Sequence, residues 1–94
     1  MNNNYKNITL GAPTTTVLKT TQGVLHSITI NKKAASAIIA IYDGITAATG
    51  TLIGTITNPG TLLSSQETLI YDVAFSKGLT IVTTTAQDIT VAYE

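Results

Sequence analysis

Runs of β-branched and aromatic residues recur about every ten positions along this chain, and each run is closed by a turn signal. Seven runs stand out: Thr15 to Thr20, Val24 to Asn31, Ser36 to Tyr42, Thr51 to Thr57, Thr68 to Val73, Leu79 to Thr84 and Asp88 to Tyr93. Between them lie Thr21-Gln22-Gly23, Asp43-Gly44 and Asn58-Pro59-Gly60. The last is the strongest break, because proline pre-sets φ and glycine accepts positive φ. Helical periodicity is weak throughout. Strands joined by such short connections pair antiparallel. The pattern therefore predicts an all-β fold, an antiparallel β-sandwich of seven or eight strands, with the jelly roll among its wirings.

Local patterning adds detail. In Val24 to Asn31, strict alternation puts Val24, His26, Ile28 and Ile30 on one face. Ser36 to Tyr42 is the most apolar run and reads as a central strand covered on both faces. Residues 1–13 differ in kind: rich in asparagine, poor in apolar side chains and ending in Gly11-Ala12-Pro13. They read as an extended N-terminal arm, with Tyr5 to Leu10 as an eighth, short strand, while residues 14–94 form the sandwich domain. Asn4, Tyr5, Ile8 and Leu10 are the arm residues suited to touching a partner.

Ninety-four residues make one domain and bury roughly 64% of the unfolded surface, a thin core. There is no cysteine to reinforce it, so oligomerisation is the natural support. Charged residues make up 11% against about 25% in a typical domain, and the formal net charge is zero. Threonine takes their place. A neutral, hydroxyl-rich surface suits protein neighbours and does not suit nucleic acid, whose phosphates call for a basic stripe. Ala37 to Tyr42, the longest apolar run, is too short to span a bilayer. "MNNNYKN" lacks the pattern of a secretory signal, which predicts synthesis in a cytoplasm.

Chemistry-bearing residues are sparse. His26 is the single histidine, which removes two-histidine metal and catalytic schemes. It reads as a strand residue at a rim or interface; a polar cleft joining it to an acid would point instead to general-base work. Asp43 and Asp88 fall at turns, where aspartate caps backbone groups, and Asp72 is placed to pair with Lys77 or cap the turn after it. The seven glycines are scattered one per turn and build no phosphate loop. Tyr5, Tyr42, Tyr71 and Tyr93 read first as closures of the core, second as a sugar-stacking platform. No catalytic, cofactor-binding or metal-binding residues are assigned, and no enzyme activity is expected. "LTIVTT", Leu79 to Thr84, has high β-propensity and no charge, so it must be central in a sheet or covered by a neighbouring subunit.

Three stretches carry a family likeness: "GVLHSITINK" (Gly23 to Lys32), "IAIYDG" (Ile39 to Gly44) and "YDVAFSKGLTIVTT" (Tyr71 to Thr84), closed by "DITVAYE". Together they resemble a group of small structural proteins of tailed bacteriophages, β-sandwich modules used as capsid decoration proteins or as parts of head fibres. The resemblance covers about Thr16 to Glu94 and leaves out the asparagine-rich arm. It implies a virion component on the capsid exterior, assembled in the host cytoplasm. The implied partners are the major capsid protein and copies of the chain itself, a trimer being one arrangement. No cofactor, nucleic acid or membrane is implied. A carbohydrate-binding or adhesion module on the virion exterior is the alternative, as is a tail or connector component.

Overall fold

The computed structural model describes residues 4–9, 14–32, 36–46, 50–58, 66–84 and 87–94. These hold eight strands: β1 (Asn4–Ile8), β2 (Thr14–Lys19), β3 (Gly23–Lys32), β4 (Ile38–Asp43), β5 (Thr51–Thr57), β6 (Glu67–Phe75), β7 (Leu79–Thr83) and β8 (Asp88–Tyr93). They form two four-stranded sheets, sheet A in the order β1-β8-β3-β6 and sheet B in the order β2-β7-β4-β5. Every pairing is antiparallel. The pairs nest, β1 with β8, β2 with β7, β3 with β6 and β4 with β5. This is one long hairpin, closed at β4–β5, wound into a sandwich: the jelly-roll wiring.

The core lies between the sheets. Nine of its eleven clustered residues come from the four central strands: Leu25, Ile28 and Ile30 on β3, Ile39 and Ile41 on β4, Leu79 and Ile81 on β7, Ile89 and Val91 on β8. Among the described residues the edge strands bury Ile8 and Phe75 there, and pack Leu18, Ile53, Ile56, Leu69 and Tyr71 against it partly buried. Each buried side chain of this size contributes about 1.5–3 kcal/mol relative to exposure, so the thin core depends on its centre. One side is closed by Tyr71 of β6, which lies against Gly54 of β5; a Cβ there would stand 3.2 Å from the Tyr71 hydroxyl.

"LTIVT" occupies the central strand β7, where four of its five residues are buried. Three expectations change. β4 is covered on one face only: Ile39 and Ile41 are buried while Ile38, Ala40 and Tyr42 are half-buried. In an antiparallel sandwich each sheet has a single covered face, whatever the apolarity of the run. On β3 the inward residues are Leu25, Ile28 and Ile30, while Val24 and His26 point outward. The register against β8 slips between Leu25 and Ser27, so a bulge inserts one extra residue and resets the alternation. Within the segment read as an arm, Asn4–Ile8 pairs along its whole length with β8, and Ile8 enters the core at 4% exposure. β1 thus belongs to the sandwich, because β8 would otherwise be an open edge.

Candidate functional site

The outer face of sheet A carries a histidine held between two acids. The extra residue of the β3 bulge is His26. Opposite it, β6 slips register between Ile70 and Val73. Asp72 in that slip has φ of 49°, a left-handed conformation uncommon outside glycine. Bulges re-aim side chains, and these two turn His26 and Asp72 toward each other. Glu94 arrives from the other side, its backbone N–H and carbonyl exchanging 2.9 Å hydrogen bonds with Val24. His26 Nε2 lies 2.7 Å from Glu94 Oε2, and Nδ1 lies 3.4 Å from Asp72 Oδ1. The hydrogen bond to Glu94, then that to Asp72, holds the imidazole above its ordinary pKa of 6.5.

This arrangement favours imidazolium, donating from Nε2 to Glu94 with Asp72 as the second counter-charge. With both ring nitrogens turned to carboxylates, neither is offered to a nucleophile. The carboxylates flank opposite nitrogens, so they do not converge on a point where a cation could sit. Among the described residues no group of three or more metal-ligating side chains occurs. The cluster ties β8, β3 and β6 together on an open sheet face, where the Asp72 side chain is 70% exposed.

A polar cluster occupies the other end of the same face. Asn7 Nδ2 donates to Asp88 Oδ1 at 2.7 Å and to Thr90 Oγ1 at 3.2 Å, and Asn31 Nδ2 donates to the same two atoms at 3.1 and 3.0 Å. Beside it is a cleft of about 260 Å³ lined by Thr9, Lys32, Gln87 and Asp88. Gln87 is anchored by Asn58 Nδ2, which donates to its Oε1 at 3.0 Å. The Gln87 Nε2 is buried and, among the described residues, has no hydrogen-bond partner.

The outer face of sheet B is different. Register places Val17, Thr80, Tyr42 and Leu52 in one row across it, and Thr15, Val82, Ala40 and Thr55 in the next. Ile38 and Thr57 continue beyond them. None of these side chains is charged. The turn after β4 lies over part of this face, where the Thr80 hydroxyl donates to the Gly44 carbonyl at 2.7 Å.

Of the residues expected to touch partners, Asn4 is exposed and Tyr5 stands 76% exposed on the outer face of sheet A. Ile8 is committed to the core and is not available. Leu10 lies outside the described residues. The tyrosines are dispersed: Tyr5 outside sheet A, Tyr42 outside sheet B, and Tyr71 and Tyr93 packed on the core. They make no common platform. Asp72 serves His26, in place of the expected Lys77 pairing or turn cap. Glu94 was not anticipated as its partner. The signal was the three-residue step from Leu25 to Ile28, which only a bulge reconciles with one buried face. No known protein-family model matches the chain, and no curated protein matches it in sequence.

Proposed function

We propose that this chain is a non-enzymatic structural protein of a tailed-bacteriophage particle, a capsid decoration or head-fibre base module. In this reading it sits on the capsid exterior, having assembled in the host cytoplasm, and binds the major capsid protein and copies of itself. The observation that carries the proposal is the charge-free outer face of sheet B on a jelly-roll sandwich. A face of threonine, tyrosine and aliphatic side chains presents no charge that a protein neighbour must neutralise, and its hydroxyls can hydrogen-bond to that neighbour. The likeness of Gly23 to Lys32, Ile39 to Gly44 and Tyr71 to Thr84 to small phage structural proteins supports the same setting. The His26 cluster fits as an ion-pair clasp that stiffens sheet A.

The test is to add the purified chain to capsids of the encoding phage assembled without it. The expected result is saturable co-sedimentation, discrete density for the chain on the outer surface in electron cryo-microscopy, and a raised capsid disruption temperature, since a ligand bound to the intact state stabilises it. A chain that stays in the supernatant at all concentrations, leaving the capsids unchanged, would refute the proposal.

A further inference from the structure

Four strands form the edges of the two sheets, and three of them carry features that turn other strands away. On β1, Lys6 stands opposite the buried Val91, so its charge lies on the inward-facing side of an edge strand. β2 is bulged between Val17 and Lys19 and ends in a lysine. β6 carries Glu67 and Asp72 and is bulged beside Asp72. β5, "TLIGTIT", has neither charge nor proline. Its one irregularity, a register slip near Ile53, leaves Gly54 to Thr57 in unbroken register with β4. Thr51, Leu52, Thr55 and Thr57 are exposed, and among the described residues no strand pairs with the side of β5 away from β4.

We propose that β5 is a self-association seam: β5 of one copy pairs antiparallel with β5 of a second copy about a two-fold axis, joining two B sheets into one. A two-fold contact sets a surface against itself, so a charge near the axis meets its own kind. Self-pairing of β1 would bring Lys6 onto Lys6 beside the axis and of β6 Asp72 close to Asp72, while β2 is interrupted by its bulge and ends in a charge. β5 has no charge at all, and its threonines and aliphatic residues make favourable cross-strand neighbours. The pairing also runs the two charge-free outer faces into one continuous surface.

Size sets the strength of the contact. Seven strand residues give a seam about 24 Å long. Across one sheet, about 10 Å thick, the contact covers about 240 Å² per copy, well below the roughly 800 Å² of a standard interface. The isolated chain therefore self-associates weakly and reversibly, and copies held side by side on a surface do so much more strongly. This inference specifies the self-contact within the proposed function and rests on that reading.

Sedimentation equilibrium of the full chain, without capsids, tests it from about 10 μM to about 1 mM, the range of weak association. The average mass is expected to rise from 9.8 kDa toward twice that value. Thr55→Lys and Thr51→Lys, both at exposed positions on this edge, are expected to hold the chain at monomer mass with unchanged thermal melting. Thr15→Lys on the β2 edge is expected to associate like wild type. Hydrogen exchange on the wild-type chain reads the same seam without mutation, as amide protection in β5 that grows with concentration. Monomer mass for wild type throughout, β5 protection independent of concentration, or undiminished association of both β5 variants would overturn the seam. A chain that binds capsids but stays monomeric refutes the seam alone; one that dimerises through β5 but ignores capsids refutes the virion reading alone.

Discussion

Asp43 offers the most direct test of how this sandwich is held together. It ends β4 in sheet B, yet its carboxylate accepts from the turn where the chain crosses from β6 to β7. Oδ1 takes the Lys77 N–H at 2.9 Å and the Ser76 N–H at 3.1 Å, while Oδ2 takes the Ser76 N–H at 3.1 Å and the Ser76 hydroxyl at 3.2 Å. The Lys77 N–H first, and the Ser76 N–H next, hold the carboxyl below its ordinary 3.8. A hydrogen bond to a charged acceptor is worth about 1.5–3 kcal/mol where water is excluded. This site is open to solvent, so the set together is worth about 2 kcal/mol after screening. Asp43→Ala should lose that amount in urea unfolding at pH 7 and melt about 10 °C lower. Asp43→Asn keeps one acceptor oxygen and should lose about half as much. Because the folded-state pKa is depressed, the contribution is complete above the ordinary aspartate value and is lost as pH falls through the lower, folded one. The wild type should therefore lose stability on the acid side that Asp43→Asn does not lose. Asp43→Ala within about 0.5 kcal/mol of wild type, or the same acid-side decline in both proteins, would rule out this role for Asp43.

Four further outcomes are expected. The pKa of His26 is raised above 6.5, so its ion pairs stabilise the fold fully below that value and are lost as pH rises through the folded pKa; thermal melts from acid to alkaline pH should show this decline, and His26→Gln should abolish it. In a proton NMR titration of the imidazole, Glu94→Gln should lower the midpoint more than Asp72→Asn, and equal effects would contradict the 2.7 and 3.4 Å geometry. Ile81→Ala, at a fully buried site on central β7, should cost about 3–4 kcal/mol in denaturant unfolding, a large share of the roughly 5–15 kcal/mol typical of a domain. Gly23→Ala would set a methyl against the Glu94 carbonyl and 2.8 Å from Phe75; a melting temperature equal to wild type would show that the β3–β8 end is looser than described.

Strand positions and the turns between them follow from local sequence. β5 and β8 coincide with the predicted runs, and the other strands agree to within a few residues. That information is local: β-branched residues favour extended backbone, alternation marks a face, and Asn-Pro-Gly or Asp-Gly halts a strand whatever lies elsewhere. The turn-capping role expected of Asp43 was legible for the same reason, although the turn it caps lies 33 residues away in sequence. Tertiary structure decided which strands meet. The union of β1 with β8 joins the two ends of the chain, and the partners of His26 stand 46 and 68 residues from it. Those contacts depend on bulges in β3 and β6, and a bulge arises where neighbouring strands must share both register and a buried face. The uncharged strands were visible from the start. Only the winding of the sandwich, which placed "LTIVT" at the centre of sheet B and "TLIGTIT" at its edge, decided which of them faces solvent.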